Sequence, residues 1–314
     1  MSASIPSVRA LVIGEALIDI VDRAGVESEH VGGSPLNVAV GLSRLGVDTT
    51  FATEFADDER GRLIAAHVED SGVDVVQTAV DQERTSTARA RIGADGSATY
   101  DFDLSWEFAR APRTDGFGIV HVGSVGALRP PGAHRVVELL EALPHDVLVS
   151  FDPNVRPALL PSVAETRDLV HRYAARATVV KLSDEDAEWL YPDDPSSAAA
   201  RLLEQGASIV VVTRGAHGST LSTRAGDLHV PTLPVEVVDT IGAGDSYMSG
   251  LIAALAQKIG VERLVEGRFE EVELRAAVLA AATAAGVTVS RAGANPPTTA
   301  ELDAVLQQST ITAF

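Results

Sequence analysis

The sequence predicts an α/β protein built on a doubly wound, mostly parallel sheet, with one small β-hairpin set apart from it. Three observations predict this: short, uniformly apolar runs recur along the chain, helical patterns lie between them, and one interval alternates strictly with period two. Strands that are apolar throughout must be buried on both faces, which a parallel sheet covered by helices provides.

In chain order, buried strands are expected at 10–13, 117–122, 147–151, 179–182 and 209–212. Helices are expected at 36–45 and 62–70 after the first strand, and at 134–143, 164–174 and 197–205 between the later ones. Further helices at 246–258, 272–286 and 299–307 close the chain; the second of these is rich in alanine, which suits close packing. No internal repeat, low-complexity tract or linker divides the sequence, so one domain over 1–314 is expected.

The alternating interval runs from Ser86 to Leu104. Ala88, Ala90 and Ile92 alternate with Arg89 and Arg91; after Gly93-Ala94-Asp95-Gly96, Tyr100, Phe102 and Leu104 alternate with Asp101 and Asp103. This is the pattern of a hairpin around a D-G turn. Its apolar and aromatic face needs a cover, while its other face sets arginines against aspartates for cross-strand pairing. A lid over a cleft, an interface with a second subunit, both together, or a plain extension of the sheet would each satisfy the apolar face. As a lid, the elements are 17–33 and 86–108.

Composition narrows the function. Hydrophobic residues make up 46% of 314, ample for a core. With no cysteine, disulfides and thiolate metal sites are excluded, in keeping with a reducing cytoplasm. The first residues, Met1 to Pro6, lack the basic and apolar regions of a secretory leader, and no run reaches the ~18 apolar residues of a membrane span. A cytoplasmic protein without a membrane partner is expected. The net charge of −19, from 44 acidic and 25 basic residues, repels nucleic-acid phosphates. A nucleotide site in this field needs backbone donors, a divalent cation and placed arginines.

Asp239-Thr240-Ile241-Gly242-Ala243-Gly244-Asp245 places small residues directly before an aspartate where a helix should begin. From Ser246 onward, Met248, Leu251, Ile252 and Leu255 form the apolar stripe of an amphipathic helix. Free N–H groups therefore gather at Gly242 to Gly244, where the helix dipole favours an anion. Asp245 would repel a phosphate but could accept the proton of a hydroxyl attacking it, which is phosphotransferase chemistry. Taken alone, the same loop could be a tight turn with close packing. There is no G-x-x-x-x-G-K-[ST] motif, and Tyr247 replaces the third glycine of G-x-G-x-x-G.

Gly32-Gly33-Ser34-Pro35-Leu36-Asn37 opens another helix, with Ser34 suited to the cap and Pro35 to the first helical position. Asn37 lies in an otherwise apolar first turn, where its amide needs partners that a polyol could supply. Asp19 follows the first strand, beyond the carboxyl edge where open α/β sheets bind ligands; alone it is equally a turn or capping residue.

Together these segments resemble the PfkB, or ribokinase-like, carbohydrate kinases. GGSPLNVAVGLSRLG at 32–46 resembles the first signature of that family and DTIGAGDSYMSGLI at 239–252 the second. The resemblance implies that Asp245 is the catalytic base, that Gly242, Ala243 and Gly244 form the anion hole, and that Asp19, Gly32, Gly33 and Asn37 contact the sugar. It places the turn containing Thr213, Gly215 and Gly218 beside the ATP phosphates and the segment around Asn295 over the adenine, although both are also ordinary turn sequences. Asp152-Pro153-Asn154-Val155-Arg156 is similar to the D-P-N-x-R of fructokinases and 2-keto-3-deoxygluconate kinases. Arg156 would then bridge to a phosphate or a carboxylate, and a surface salt bridge is the plainer role.

Lys181-Leu182-Ser183-Asp184-Glu185-Asp186 resembles the N-x-x-E region that organises Mg2+, with Ser183 in place of the asparagine and Asp186 in place of the glutamate. Lys181 falls on the nucleotide side, and either Asp186 through an added water or Glu185 takes the metal role. Asp239 and Ile241 match the family's monovalent-cation site, which leaves K+ open. The expected activity is ATP-dependent phosphorylation of a primary hydroxyl of a ketohexose, as in a fructokinase, with a homodimer formed through the lid. A 2-keto-3-deoxygluconate kinase and a catalytically silent sugar-binding protein on the same fold are the alternatives.

Overall fold

The computed structural model describes residues 8–23, 25–79, 81–92 and 98–312. Its strands are β1 (Arg9–Ile13), β2 (Leu17–Arg23), β3 (Val26–Gly32), β4 (Asp48–Thr53), β5 (Asp74–Gln77), β6 (Thr87–Ile92), β7 (Ala98–Asp103), β8 (Ile119–Gly123), β9 (Leu148–Asp152), β10 (Val179–Ser183), β11 (Ile209–Thr213), β12 (Ser219–Thr223) and β13 (Gly226–Val230). The helices are α1 (Ser34–Arg44), α2 (Glu59–Asp70), α3 (Ser124–Leu128), α4 (Gly132–Glu141), α5 (Val163–Arg176), α6 (Asp184–Leu190), α7 (Ala198–Gln205), α8 (Ala243–Lys258), α9 (Val261–Val265), α10 (Glu271–Val289) and α11 (Thr299–Thr312).

The main sheet has nine strands in the order β13-β12-β11-β10-β9-β8-β1-β4-β5. From β5 to β11 every pairing is parallel, and β12 and β13 turn back antiparallel at one edge. Successive strand residues serve opposite cores. In β11, Ile209 and Val211 join the layer of α1, α8 and α10, whereas Val210 and Val212 join that of α4, α5 and α7. The fully apolar strand pattern thus follows from burial on both faces. The winding reverses between β1 and β8, so the loops after these strands part and leave a crevice at the carboxyl edge.

Beside this edge lies a four-stranded sheet, β3-β2-β6-β7. The expected hairpin is therefore half of a larger element. Asp19 is not in a loop but within β2, opposite His30 on one side and Ala88 on the other. The predicted D-G turn lies outside the described residues. Arg89 stands opposite Asp101 in register, but it bridges to Glu27 of β3. The small sheet is anchored by Asp58, which caps α2 through Gly61 N at 2.7 Å and also accepts from Thr85 N at 2.9 Å, just before β6.

The helix starts differ from expectation. Gly33 caps α1 and Ser34 lies inside its first turn; α8 begins at Ala243 and so takes Asp245 into its own first turn. α10, by length and composition the one described helix able to cross a membrane, packs along α8 in the core instead. Its small residues allow this, since a Cβ on Gly250 would stand 3.0 Å from the Ala284 methyl.

Candidate active site

The site grows from two helix starts that face each other across the crevice. Asp245 is the third residue of α8 and is 9% exposed. Its Oδ1 accepts from Ser34 Oγ at 2.6 Å and its Oδ2 from Asn37 Nδ2 at 2.7 Å, so one turn of α1 holds both carboxylate oxygens. These distances are those of charge-assisted hydrogen bonds. Asn37 thereby finds its partner within the protein. Gly242, in the left-handed region at φ 74°, bends the chain into the helix, and the Ala243 N–H donates back to the Thr240 carbonyl at 3.3 Å.

Gly32 and Gly33 are fixed by close approach. Gly33 has φ 116°, and a Cβ there would stand 2.6 Å from the Glu15 carbonyl oxygen. A Cβ on Gly32 would stand 2.0 Å from Asp19 Oδ2, so the missing side chain is what admits that carboxylate. Burial raises Asp19 to about 6, against the opposing charges of His30 and Arg156 and with a further push from Asp245. Asp19, Gly32, Gly33, Asn37 and Asp245 therefore come together.

On the opposite side of Asp245, Lys181 reaches inward from β10. Its Nζ lies 2.8 Å from Asp152 Oδ2, and a Cβ on Gly244 would meet it at 3.0 Å. Among the described residues, the only cation of a buried pair thus abuts the predicted anion loop. Burial disfavours the ammonium, but Asp152, Asp186 and Asp245 overcome this and raise its pKa. Asp152 is lifted to about 6 by burial, with Lys181 pulling it back and the two other carboxylates adding to the rise.

Asp186 serves the fold as well as the site. Its Oδ2 accepts from Ser183 N at 2.8 Å in a capping box, and its Oδ1 accepts from Val155 N at 2.7 Å, which ties α6 to the loop after β9. Glu185 is exposed on the same turn. Arg156 is exposed too, donates to the Val155 carbonyl at 3.0 Å, and lowers the pKa of both Glu15 and Asp19. Its charge therefore faces Glu15 and Asp19.

Thr213 ends β11, and Gly215 and Gly218 bound the turn into β12. Asn295 is exposed and accepts from Arg44 Nη1 at 2.5 Å, which joins its loop to the end of α1. Asp239 accepts from Ile241 N at 3.0 Å and Gly293 N at 2.8 Å, closing the loop that leads to Gly242.

Three residues of the site were not recognised in their roles from sequence. Ser34 reads as a cap, yet it binds Asp245. Asp152 ends an apolar strand, and a carboxylate at the carboxyl edge of such a strand was the available signal. Glu15 is 4% exposed and accepts from Gly126 N at 2.7 Å, beside the crevice; burial raises it to about 7. Lys181 carried a signal of its own, being one of only two lysines and the one inside an apolar strand.

The chain is similar to known proteins along most of its length. A fructokinase from Rhizobium leguminosarum bv. trifolii is 33% identical over 258 residues, covering 78% of this chain and 79% of that protein. Among solved structures, fructokinase from Xylella fastidiosa with bound ATP superposes with a TM-score of 0.85 at 26% identity, covering 96% of this chain and 99% of that one. A fructokinase variant from Vibrio cholerae O395 with fructose, ADP and a potassium ion gives 0.81 at 25% identity, covering 96% and 99%. The profile of the pfkB family carbohydrate kinases matches residues 9–301, and the chain belongs to that family of ATP-dependent carbohydrate kinases.

Proposed function

We propose that this chain is a fructokinase, transferring the γ-phosphoryl group of ATP to a primary hydroxyl of the ketohexose. The observation that carries the reading is Asp245, a carboxylate clamped by Ser34 and Asn37 on the same helix turn that opens the anion loop. In this reading Asp19, Gly32, Gly33 and Asn37 hold the sugar so that its hydroxyl meets Asp245. Asp245 takes the proton as the hydroxyl oxygen bonds to the γ-phosphorus, and the bond from phosphorus to the ADP oxygen breaks. The N–H groups of Gly242, Ala243 and Gly244, with Lys181 beside them, stabilise the charge that develops. Thr213, Gly215, Gly218 and Asn295 line the nucleotide side.

Three carboxylates, Asp152, Asp186 and Asp245, surround the single Lys181 ammonium, and this excess of negative charge fits a divalent cation. Asp186 and Glu185 would hold Mg2+ through water, where it would supply charge to offset that of the phosphates. Asp239 retains lone pairs beyond its two backbone bonds and, with the Ile241 carbonyl, would hold K+. The small sheet is assigned as the lid of a single domain and, with a second copy, as the interface of a cytoplasmic homodimer.

Arg156 favours one competing substrate. Its charge faces Glu15 and Asp19, where it could receive the carboxylate of 2-keto-3-deoxygluconate. The test is ATP turnover with D-fructose, D-ribose, adenosine and 2-keto-3-deoxygluconate under matched Mg2+. Fructose is expected to give the highest kcat/KM. A preference for the acid that disappears in Arg156→Ala overturns the fructokinase reading and keeps the kinase.

A further inference from the structure

We infer that Ser34 is a positioning residue for the reaction: its hydroxyl, donated to Asp245 Oδ1 from the facing helix, fixes the carboxylate for proton acceptance. The inference rests on Asp245 being the base. The terminal torsion of an aspartate is broad and roughly two-fold, so a carboxylate held at one oxygen can still swing. Here the two oxygens have separate donors, Ser34 Oγ at 2.6 Å and Asn37 Nδ2 at 2.7 Å, both from the first turn of α1. A rigid turn thereby sets the carboxylate plane. Gly33 occupies the helix cap, so the Ser34 hydroxyl has no capping duty that would explain it. Each oxygen keeps a further lone-pair site for the sugar hydroxyl.

The charged groups facing Asp245 are Asp19 from β2, Asp152 from β9 and Lys181 from β10. Ser34→Ala alters none of these, so a change in turnover can be traced to the lost donor. Asn37 is the less clean probe, since it is also assigned to the sugar.

The experiment measures steady-state kinetics for wild type, Ser34→Ala, Ser34→Thr and Asp245→Asn, using whichever sugar ranks first in the substrate panel. In Ser34→Ala, kcat is expected to fall about tenfold, in line with loss of one hydrogen bond to a charged group. Sugar KM should stay within about threefold of wild type. Ser34→Thr, which keeps the hydroxyl, should restore kcat. Wild-type kcat in Ser34→Ala, with Asp245→Asn inactive, overturns the positioning role. So does a loss of kcat that Thr does not rescue, or one matched by an equal rise in sugar KM. Activity retained in Asp245→Asn instead removes the base assignment beneath it.

Discussion

Glu15→Gln should remove one part of the pH dependence of stability, the part between the unfolded and folded pKa of that carboxyl. Glu15 is buried behind the crevice, and burial raises its carboxyl from the ordinary 4.5 to about 7 despite the bond it accepts from Gly126 N. Between those two values the folded protein keeps a proton that the unfolded chain has released. The stability Glu15 contributes is therefore fully present below pH 4.5 and is lost as pH rises to about 7. At about 1.4 kcal/mol per pH unit, the rise corresponds to about 3 kcal/mol. Gln has nearly the same shape, can still accept from Gly126, and never ionises. Urea unfolding of both proteins at pH 5 and pH 9 would expose the difference. The variant should gain about 3 kcal/mol relative to wild type between the two conditions, most of it by pH 8. An identical stability difference at both pH values would refute the reasoning, since it would mean that Glu15 titrates alike in the folded and unfolded chains.

Asp245→Asn should leave sugar and ATP binding largely intact while kcat drops by at least the ~10²-fold typical of losing a general base; calorimetry alongside turnover separates the two effects. Gly32→Ala should raise sugar KM by roughly tenfold or more, because its methyl would displace Asp19, and an unchanged KM measured by sugar titration would contradict the close approach. Lys181→Met should destabilise the fold by about 3 kcal/mol or more at pH 8, since Asp152 would be left buried beside two other carboxylates; a melting temperature within a degree or two of wild type would count against that. Light scattering at micromolar concentration is expected to report a dimer, and a monomer would sink the proposed lid interface.

The strands that were legible in the sequence are those whose environment is uniform. β1, β8, β9, β10 and β11 are apolar because helices cover both faces, and an apolar run is the direct imprint of that burial. β4 carries Thr49, Thr50 and Thr53 among its buried positions, and β5 is four residues long, so neither leaves such an imprint. β2 and β3 pair in a separate sheet that is only partly covered, and their mixed composition reads as a loop. The helix starts at Ser34 and Ala243 were visible to within three residues, because glycine and proline act locally.

Roles set by distant partners were harder to read. Ser34 and Pro35 look like ordinary capping until α8 arrives from 211 residues away and supplies a carboxylate. Asp186 has the reverse history. The spacing from Ser183 is a local capping box, so a purely local reading accounts for one oxygen, whereas the bond from Val155 N could only be seen in three dimensions. Asp245 stood out as the proposed base because its neighbours in sequence are also its neighbours in space.

That last coincidence limits how the protein can move. The small-residue loop and Asp245 share one helical turn, and Ser34 and Asn37 bolt that turn to α1, so the proposed base and the proposed phosphate cradle form a single rigid part. A hinge between them is ruled out by covalent geometry. Asp19, by contrast, is carried on the small sheet, which runs into α1 at the single residue Gly33 and is otherwise held through the short 14–16 link to β1 and the Asp58 anchor at Thr85. Any opening and closing stroke must therefore leave the chemistry aligned and change only how firmly the acceptor is gripped. Substitutions along that link should consequently disturb the acceptor's residence time before they disturb the transfer step.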